Sequence, residues 1–124
     1  MDKFNFAKRI KSFVYAWRGI VVLISHEHNA WIHSFAAIVV VIAGLLLELN
    51  RMEWVAVTGC IAAVFAAEAF NTAIEKLVDI VSPQHNPKAG MVKDIAAGAV
   101  LITAIGAATI GFIIFVPHII SAIS

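Results

Sequence analysis

Apolar and polar positions fall along this chain in long blocks rather than short alternations. The stretch AWIHSFAAIVVVIAGLLLEL is apolar apart from His33, Ser34 and a closing Glu48. A second run begins at Trp54, stays apolar through Ala67, and then turns polar on one side. A third, Ile95 to Val116, has 22 residues and no charge. A membrane-spanning helix needs about 20 apolar residues. The blocks therefore predict three spans, at about 30–49, 54–81 and 92–116. The separators agree with this division. Asn50-Arg51-Met52-Glu53 reads as a tight polar turn. The segment from Ser82 to Gly90 holds two prolines and a glycine, so the second span should stop near Val81. Pro117 lies near the end of the third.

The opening segment follows another rhythm. Phe6, Ile10, Phe13, Trp17, Val21 and Ile24 recur every three or four positions, with Lys8, Lys11, Tyr15 and Arg18 on a second face. That pattern predicts an amphipathic basic helix within 1–28, suited to lying in the membrane interface. A cytosolic helix packed on the rest of the domain would share the periodicity. Composition supports the membrane. Of 124 residues, 61% are hydrophobic and 14% charged, against about 45–50% apolar in soluble domains. The expectation is one all-α integral-membrane domain over 1–124: a surface helix plus three transmembrane helices. The lone Cys60 cannot form an internal disulfide and reads as a packing residue.

Positive charge sets the expected orientation. Lys3, Lys8, Arg9, Lys11 and Arg18 precede the first span, and Lys76, Lys88 and Lys93 surround the second loop. Arg51 stands alone in the first turn, and the C-terminal tail has no Lys or Arg. By the positive-inside rule the N-terminus and second loop are cytoplasmic, and the C-terminus is outside.

Within this frame the segment EAFNTAIEKLVD stands out. Counting from Trp54 as an outer anchor, Glu68 lies about 21 Å deeper and Glu75 about 10 Å further, at 1.5 Å per residue. Glu68 is thus inside the hydrocarbon, toward its cytoplasmic side. Glu68, Asn71, Thr72, Glu75 and Asp79 share one helix face. A charge within the bilayer costs about 2.5–3.5 kcal/mol or more, so such residues face the protein interior and usually serve a function. A polar seam that only glues helices together is the other reading. Glu27, Glu75, Lys93 and Asp94 all fall at one cytoplasmic level, just above Glu68. Asp94 would also suit a helix N-terminus on structural grounds alone. Two carboxylates able to hold Mg²⁺, a lysine and a submerged acid fit phosphoryl transfer to a membrane-embedded hydroxyl. No GxxxxGK[ST] or GxGxxG motif is present, and the histidines lack HExxH spacing. His26, His28, His33, His85 and His118 are expected to be interfacial or loop residues, not a zinc site.

EAFNTAIEKLVD, the Pro-containing loop and KAGMVKDIAAGAVLI together resemble the small prokaryotic diacylglycerol kinase family. YAWRG and EHNAWIH extend the resemblance over nearly the whole chain. The resemblance implies a homotrimer with sites shared between subunits. It implies transfer of the γ-phosphate of ATP to a lipid hydroxyl, with Mg²⁺ required, in the bacterial cytoplasmic membrane and with no nucleic-acid partner. Matched by position, Glu68 corresponds to the general base. Glu27 and Glu75 correspond to the Mg²⁺ ligands, and Asn71 to the partner that orients them. Lys93, Asp94, Lys8 and Tyr15 correspond to nucleotide contacts, and Gln84, His85 and Asn86 to the loop over the nucleotide. Ser12, Phe13, Trp17, Asn29, Trp31, His33, Trp54 and Ala97 fall where the family lines its lipid pocket. Lys8 and Trp31 stand where arginine is expected. His33 and the wording NTAIEKLVD are closer to the Gram-positive branch, which often prefers undecaprenol.

The leading expectation is therefore a diacylglycerol kinase forming phosphatidic acid, with undecaprenol kinase as the alternative. A proton or ion conductor using Glu68 and Glu75 as a relay is a remote third. Lys93, Asp94 and Glu27, outside the stripe, favour the kinase, because a relay has no use for a nucleotide cluster. The small residues Ala96, Ala97, Gly98, Gly106, Ala107 and Gly111 support helix packing in any of these.

Overall fold

The computed structural model describes residues 3–124. Met1 and Asp2, which open the expected surface segment, lie outside the described residues. Four helices are present: α1 (Phe6–His26), α2 (His28–Leu46), α3 (Arg51–Val81) and α4 (Pro87–Ile123), with no strand among the described residues. The last three are long and apolar enough to cross a membrane. The chain is an all-α membrane protein.

Helix α1 starts because the Asn5 side chain accepts the backbone N–H groups of Ala7 (2.9 Å) and Lys8 (3.4 Å). Its apolar residues Phe6, Phe13 and Trp17 are exposed, and Leu23 is its one buried side chain. A helix with a bare apolar face and a basic face is built to lie on a bilayer. It ends at His26 rather than 28, because Glu27 is extended (φ −107°, ψ 120°) and serves α1 and α2 as a shared cap.

The expected first span over 30–49 runs instead over α2. Leu47 N–H donates to Ala43 O (2.9 Å) and Leu49 N–H to Gly44 O (3.1 Å), with Glu48 between them at φ 57°. This is a Schellman end, with glutamate in the left-handed position that glycine usually takes. The turn folds Leu49 inward, where it meets Val57 and Ile114. Gly44 is needed beside it: a Cβ there would lie 2.7 Å from the Trp54 ring.

The polar turn predicted at Asn50–Glu53 forms the first turn of α3, so this helix starts at 51 and not 54. Asn50 Oδ1 accepts from Glu53 N–H (2.9 Å), and Asn50 N–H donates back to Glu53 Oε1 (3.0 Å). That is a capping box, and the Asn-x-x-Glu spacing carries it. Helix α4 likewise begins at 87 rather than 92. Asn86 Oδ1 accepts from Lys88 N–H at 2.9 Å, and Pro87 fills the first position, where its missing N–H costs nothing. At its other end Pro117 stays inside the helix, which continues past the expected 116 to Ile123. A proline forgoes one backbone hydrogen bond without having to end a helix.

Helix α3 is central. It packs mainly on α4, less on α2 and lightly on α1. Its buried residues Val57, Val64, Glu68, Asn71 and Thr72 lie along one face. The N-terminal half of that face is apolar and the C-terminal half polar, and this gradient positions the site. At the N-terminal end His118 Nε2 lies 3.0 Å from both carboxylate oxygens of Glu53, tying α4 to the start of α3.

Candidate active site

The polar stripe resolves into two levels. Glu68 is 1% exposed, with Asn71 and Thr72 also buried. Glu75 is half-buried and Asp79 exposed. The gradient follows from the helix rise: each step of three or four residues climbs about 5 Å toward water. Glu68 lies in a cleft of about 320 Å³ between three helices, with Asn29, Ile32 and His33 from α2, Asn71 beside it on α3, and Ala97, Val100, Leu101 and Ala104 from α4. Burying a carboxylate is costly unless partners compensate. Here the partners are sparse. Glu68 Oε2 has no hydrogen-bond partner, and neither do Asn71 Oδ1 and Thr72 Oγ1. Asn29 and His33 line the cleft beside it, with His33 Nε2 3.5 Å from Oε2.

Above this level sit the charged groups. Asn71 Nδ2 donates to Glu75 Oε1 at 3.4 Å. Glu27, at the break between α1 and α2, pairs with Lys76 Nζ at 3.6 Å. Lys93 Nζ pairs with Asp79 Oδ1 at 2.5 Å, bridging α4 to α3. Two of these contacts, Lys76–Glu27 and Lys93–Asp79, join groups that sequence reasoning did not pair. The stripe spacing placed Asp79 correctly on the face, but only the α3–α4 packing shows that it meets Lys93.

The structure changes several assignments. Lys93 and Asp94 do not open α4; because Pro87 starts that helix, they are its seventh and eighth residues, and an N-terminal role for Asp94 is ruled out. Asp94 is exposed. Asn86 is occupied as the α4 cap. Gln84 and His85 remain in the loop, where Ser82 Oγ donates to Gln84 O at 3.4 Å. Trp31 braces the α1–α2 break: its indole N–H donates to Ile24 O, and its ring leans on His28 at 4.9 Å. Trp54 packs at the outer end against the cluster of Leu49, Val57 and Ile114, far along α3 from Glu68. Lys8, Ser12, Phe13, Tyr15 and Trp17 sit on α1 and do not line the cleft. Ser12 Oγ donates to Lys8 O at 3.0 Å, and Arg18 lies over the Tyr15 ring at 5.8 Å. His118, expected at an interface or in a loop, is inside α4 and paired with Glu53. No local signal could reveal a contact across 65 residues of sequence.

A second cleft, about 290 Å³ and almost wholly apolar, runs outward between the same three helices, past Val40, Val64, Phe65, Ala107 and Phe115. His33 and Ala104 border both clefts. The polar pocket thus adjoins a greasy groove, an arrangement suited to a ligand with a polar end and a long apolar tail. The acids and lysines on the other side can hold a charged, phosphate-bearing ligand.

Comparison with known proteins agrees with this chemistry. The family described as prokaryotic diacylglycerol kinase matches residues 14–115. The undecaprenol kinase of Bacillus subtilis (strain 168) is 43% identical over 109 residues, covering 88% of this chain and 89% of the relative. A diacylglycerol kinase of Synechocystis sp. is 37% identical over 113 residues, 89% of this chain and 63% of the relative. The diacylglycerol kinase of Escherichia coli (strain K12) is 27% identical over 101 residues, 82% of this chain and 83% of the relative.

Proposed function

We propose, from the premise that this chain belongs to the prokaryotic diacylglycerol kinase family and is a lipid kinase, that it phosphorylates undecaprenol with ATP and Mg²⁺. The observation that carries the site is Glu68, buried at 1% exposure in a cleft between three helices, with charged groups directly above it. Undecaprenol is preferred over diacylglycerol because the Bacillus undecaprenol kinase is 43% identical, with 88% of this chain and 89% of the relative covered, against 37% and 27% for the two diacylglycerol kinases. Diacylglycerol is the second reading, supported by the Synechocystis and Escherichia relatives.

In this reading the acceptor enters from the bilayer with its hydroxyl at Glu68. As the hydroxyl oxygen attacks the γ-phosphorus, its O–H bond breaks and the proton passes to the Glu68 carboxylate. The bond from the γ-phosphorus to the ADP oxygen breaks in the same displacement. The burial of Glu68 excludes water, which would otherwise compete as acceptor. Glu27 and Glu75 both supply the carboxylate oxygens that a hard cation takes, Glu27 from the break between α1 and α2 and Glu75 from the α3 face above Glu68. No group of three or more His, Cys, Asp or Glu gathers to hold a metal among the described residues. An ion held by the two acids would draw its other ligands from nucleotide phosphates and water. When bound, Mg²⁺ neutralises charge on those phosphates. Asn71 steadies Glu75, and Lys93 exchanges Asp79 for phosphate as the nucleotide enters.

The α1 residues Lys8, Tyr15, Ser12, Phe13 and Trp17 stand outside the cleft of a single chain. A homotrimer with shared sites lets them serve a neighbour's cleft. The nucleotide side faces the cytoplasm of a bacterial inner membrane, following the Lys and Arg distribution.

The test is phosphate transfer from labelled ATP by purified protein in mixed micelles, with undecaprenol and diacylglycerol offered separately at matched mole fraction. Higher kcat/KM for undecaprenol is expected. A preference for diacylglycerol would replace the acceptor, and no transfer to either would remove the proposed reaction.

A further inference from the structure

Glu68 presents an unsolved problem of charge. Its Oε2 is buried without a hydrogen-bond partner. The nearby lysines are engaged elsewhere, Lys76 with Glu27 and Lys93 with Asp79. The one cationic or donor ring that faces the unpaired oxygen is His33, with Nε2 at 3.5 Å from Oε2. That separation is beyond a good hydrogen bond, but a small side-chain adjustment closes it. The ring is not free to wander. Phe65 holds it edge-on, with centroids 6.4 Å apart and planes at 71°. His33 also borders both the polar cleft and the apolar groove, so it stands where the acceptor's hydroxyl end would meet its tail.

We propose that His33 is a positioning residue for Glu68: its Nε2–H engages Oε2 and turns the other carboxylate oxygen toward the acceptor hydroxyl. This rests on Glu68 being the base, and it adds a role that lining a lipid pocket does not require. The geometry explains why an imidazole suits this position. Its second ring nitrogen reaches across from α2, while its flat face stays compatible with Phe65 and the apolar groove. A lysine would bring a strongly hydrated charge into the greasy side, and a leucine would leave Oε2 unpaired.

The experiment compares His33→Phe, His33→Gln and Glu68→Gln in the full-length protein in mixed micelles, with kcat and both KM values measured for the preferred acceptor. Phenylalanine keeps the ring but removes the donor. Glutamine keeps an N–H donor at similar reach. His33→Phe should lower kcat on the order of 100-fold, as misplacement of a reacting group does, with lipid and ATP KM little changed. His33→Gln should recover most of that loss. Combined with Glu68→Gln, His33→Phe should cost nothing further, since the group it positions is gone. A raised lipid KM at unchanged kcat would make His33 a lipid contact instead. Equal losses in His33→Phe and His33→Gln would also overturn the proposal, as would an undiminished effect of His33→Phe beside Glu68→Gln. Should His33→Phe not reach the membrane, His33→Asn takes its place, because its amide falls short of Oε2 and should lose the rate that His33→Gln keeps. An inactive wild type, or a Glu68→Gln with the wild-type kcat rather than a small residual rate, would defeat the reading of the site itself. An active wild type with an indifferent His33→Phe defeats only this inference.

Discussion

At the scale of single residues, four of the site's charged groups are held in two ion pairs, Lys76 with Glu27 and Lys93 with Asp79. Lys76 sits 3.6 Å from Glu27, although Lys76 is well exposed. An exposed pair of this kind is weak, so it competes only mildly with a cation for Glu27. Lys76→Ala should therefore leave kcat intact and lower the Mg²⁺ concentration for half-maximal rate roughly 2-fold, a size in keeping with a weak surface pair. A Mg²⁺ titration checks this; a clear increase would mean that Lys76 holds Glu27 in place. Residue identity was the most legible part of the site. The spacing Glu68, Asn71, Thr72, Glu75, Asp79 placed five polar groups on one face, and the structure buries the first three. Pairings between helices were not legible. Lys93 with Asp79, and His118 with Glu53, depend on how α4 leans on α3, which no local pattern records.

At the scale of elements, apolar blocks long enough to cross a bilayer announced the three spans, but their ends were misread. The starts share a reason: Glu27, Asn50 and Asn86 cap α2, α3 and α4, so each helix begins before its apolar block. At the other ends, Glu48 in its left-handed position stops α2 early and Pro117 lets α4 run on, while α3 stops at the expected Val81. Pro87 begins α4 and Pro117 lies within it, two positions with opposite meanings for the same residue. The α2–α3 connection gives a sharp test. Gly44 faces the rigid Trp54 ring, with a built Cβ only 2.7 Å away. Gly44→Ala should lower stability by about 1–3 kcal/mol through overpacking, read as a lower denaturation midpoint in detergent. Gly106→Ala is the control, because a Cβ there meets nothing within 4 Å. Equal effects from the two would mean that helix flexibility, not the Trp54 contact, sets the cost.

At the scale of the whole molecule, α3 carries two polar levels on one rigid rod. Glu53 and its partner His118 mark one, near the start of the helix, and Glu75 the other. They are 22 residues apart on an unbroken helix, which is about 33 Å at 1.5 Å per residue. A bilayer's hydrocarbon is about 30 Å across, so the rod and an average membrane are matched. Glu68 is fixed on that rod about 10 Å below Glu75, whereas a lipid acceptor's hydroxyl takes its depth from the membrane surface. Hydrophobic mismatch would then move the two past each other. In vesicles of graded acyl-chain length, kcat should peak at an intermediate chain length and fall on either side, and a flat profile would show that helix tilt absorbs the difference. Membrane thickness, through the Glu53–His118 clasp, thus becomes an input to chemistry at the opposite face.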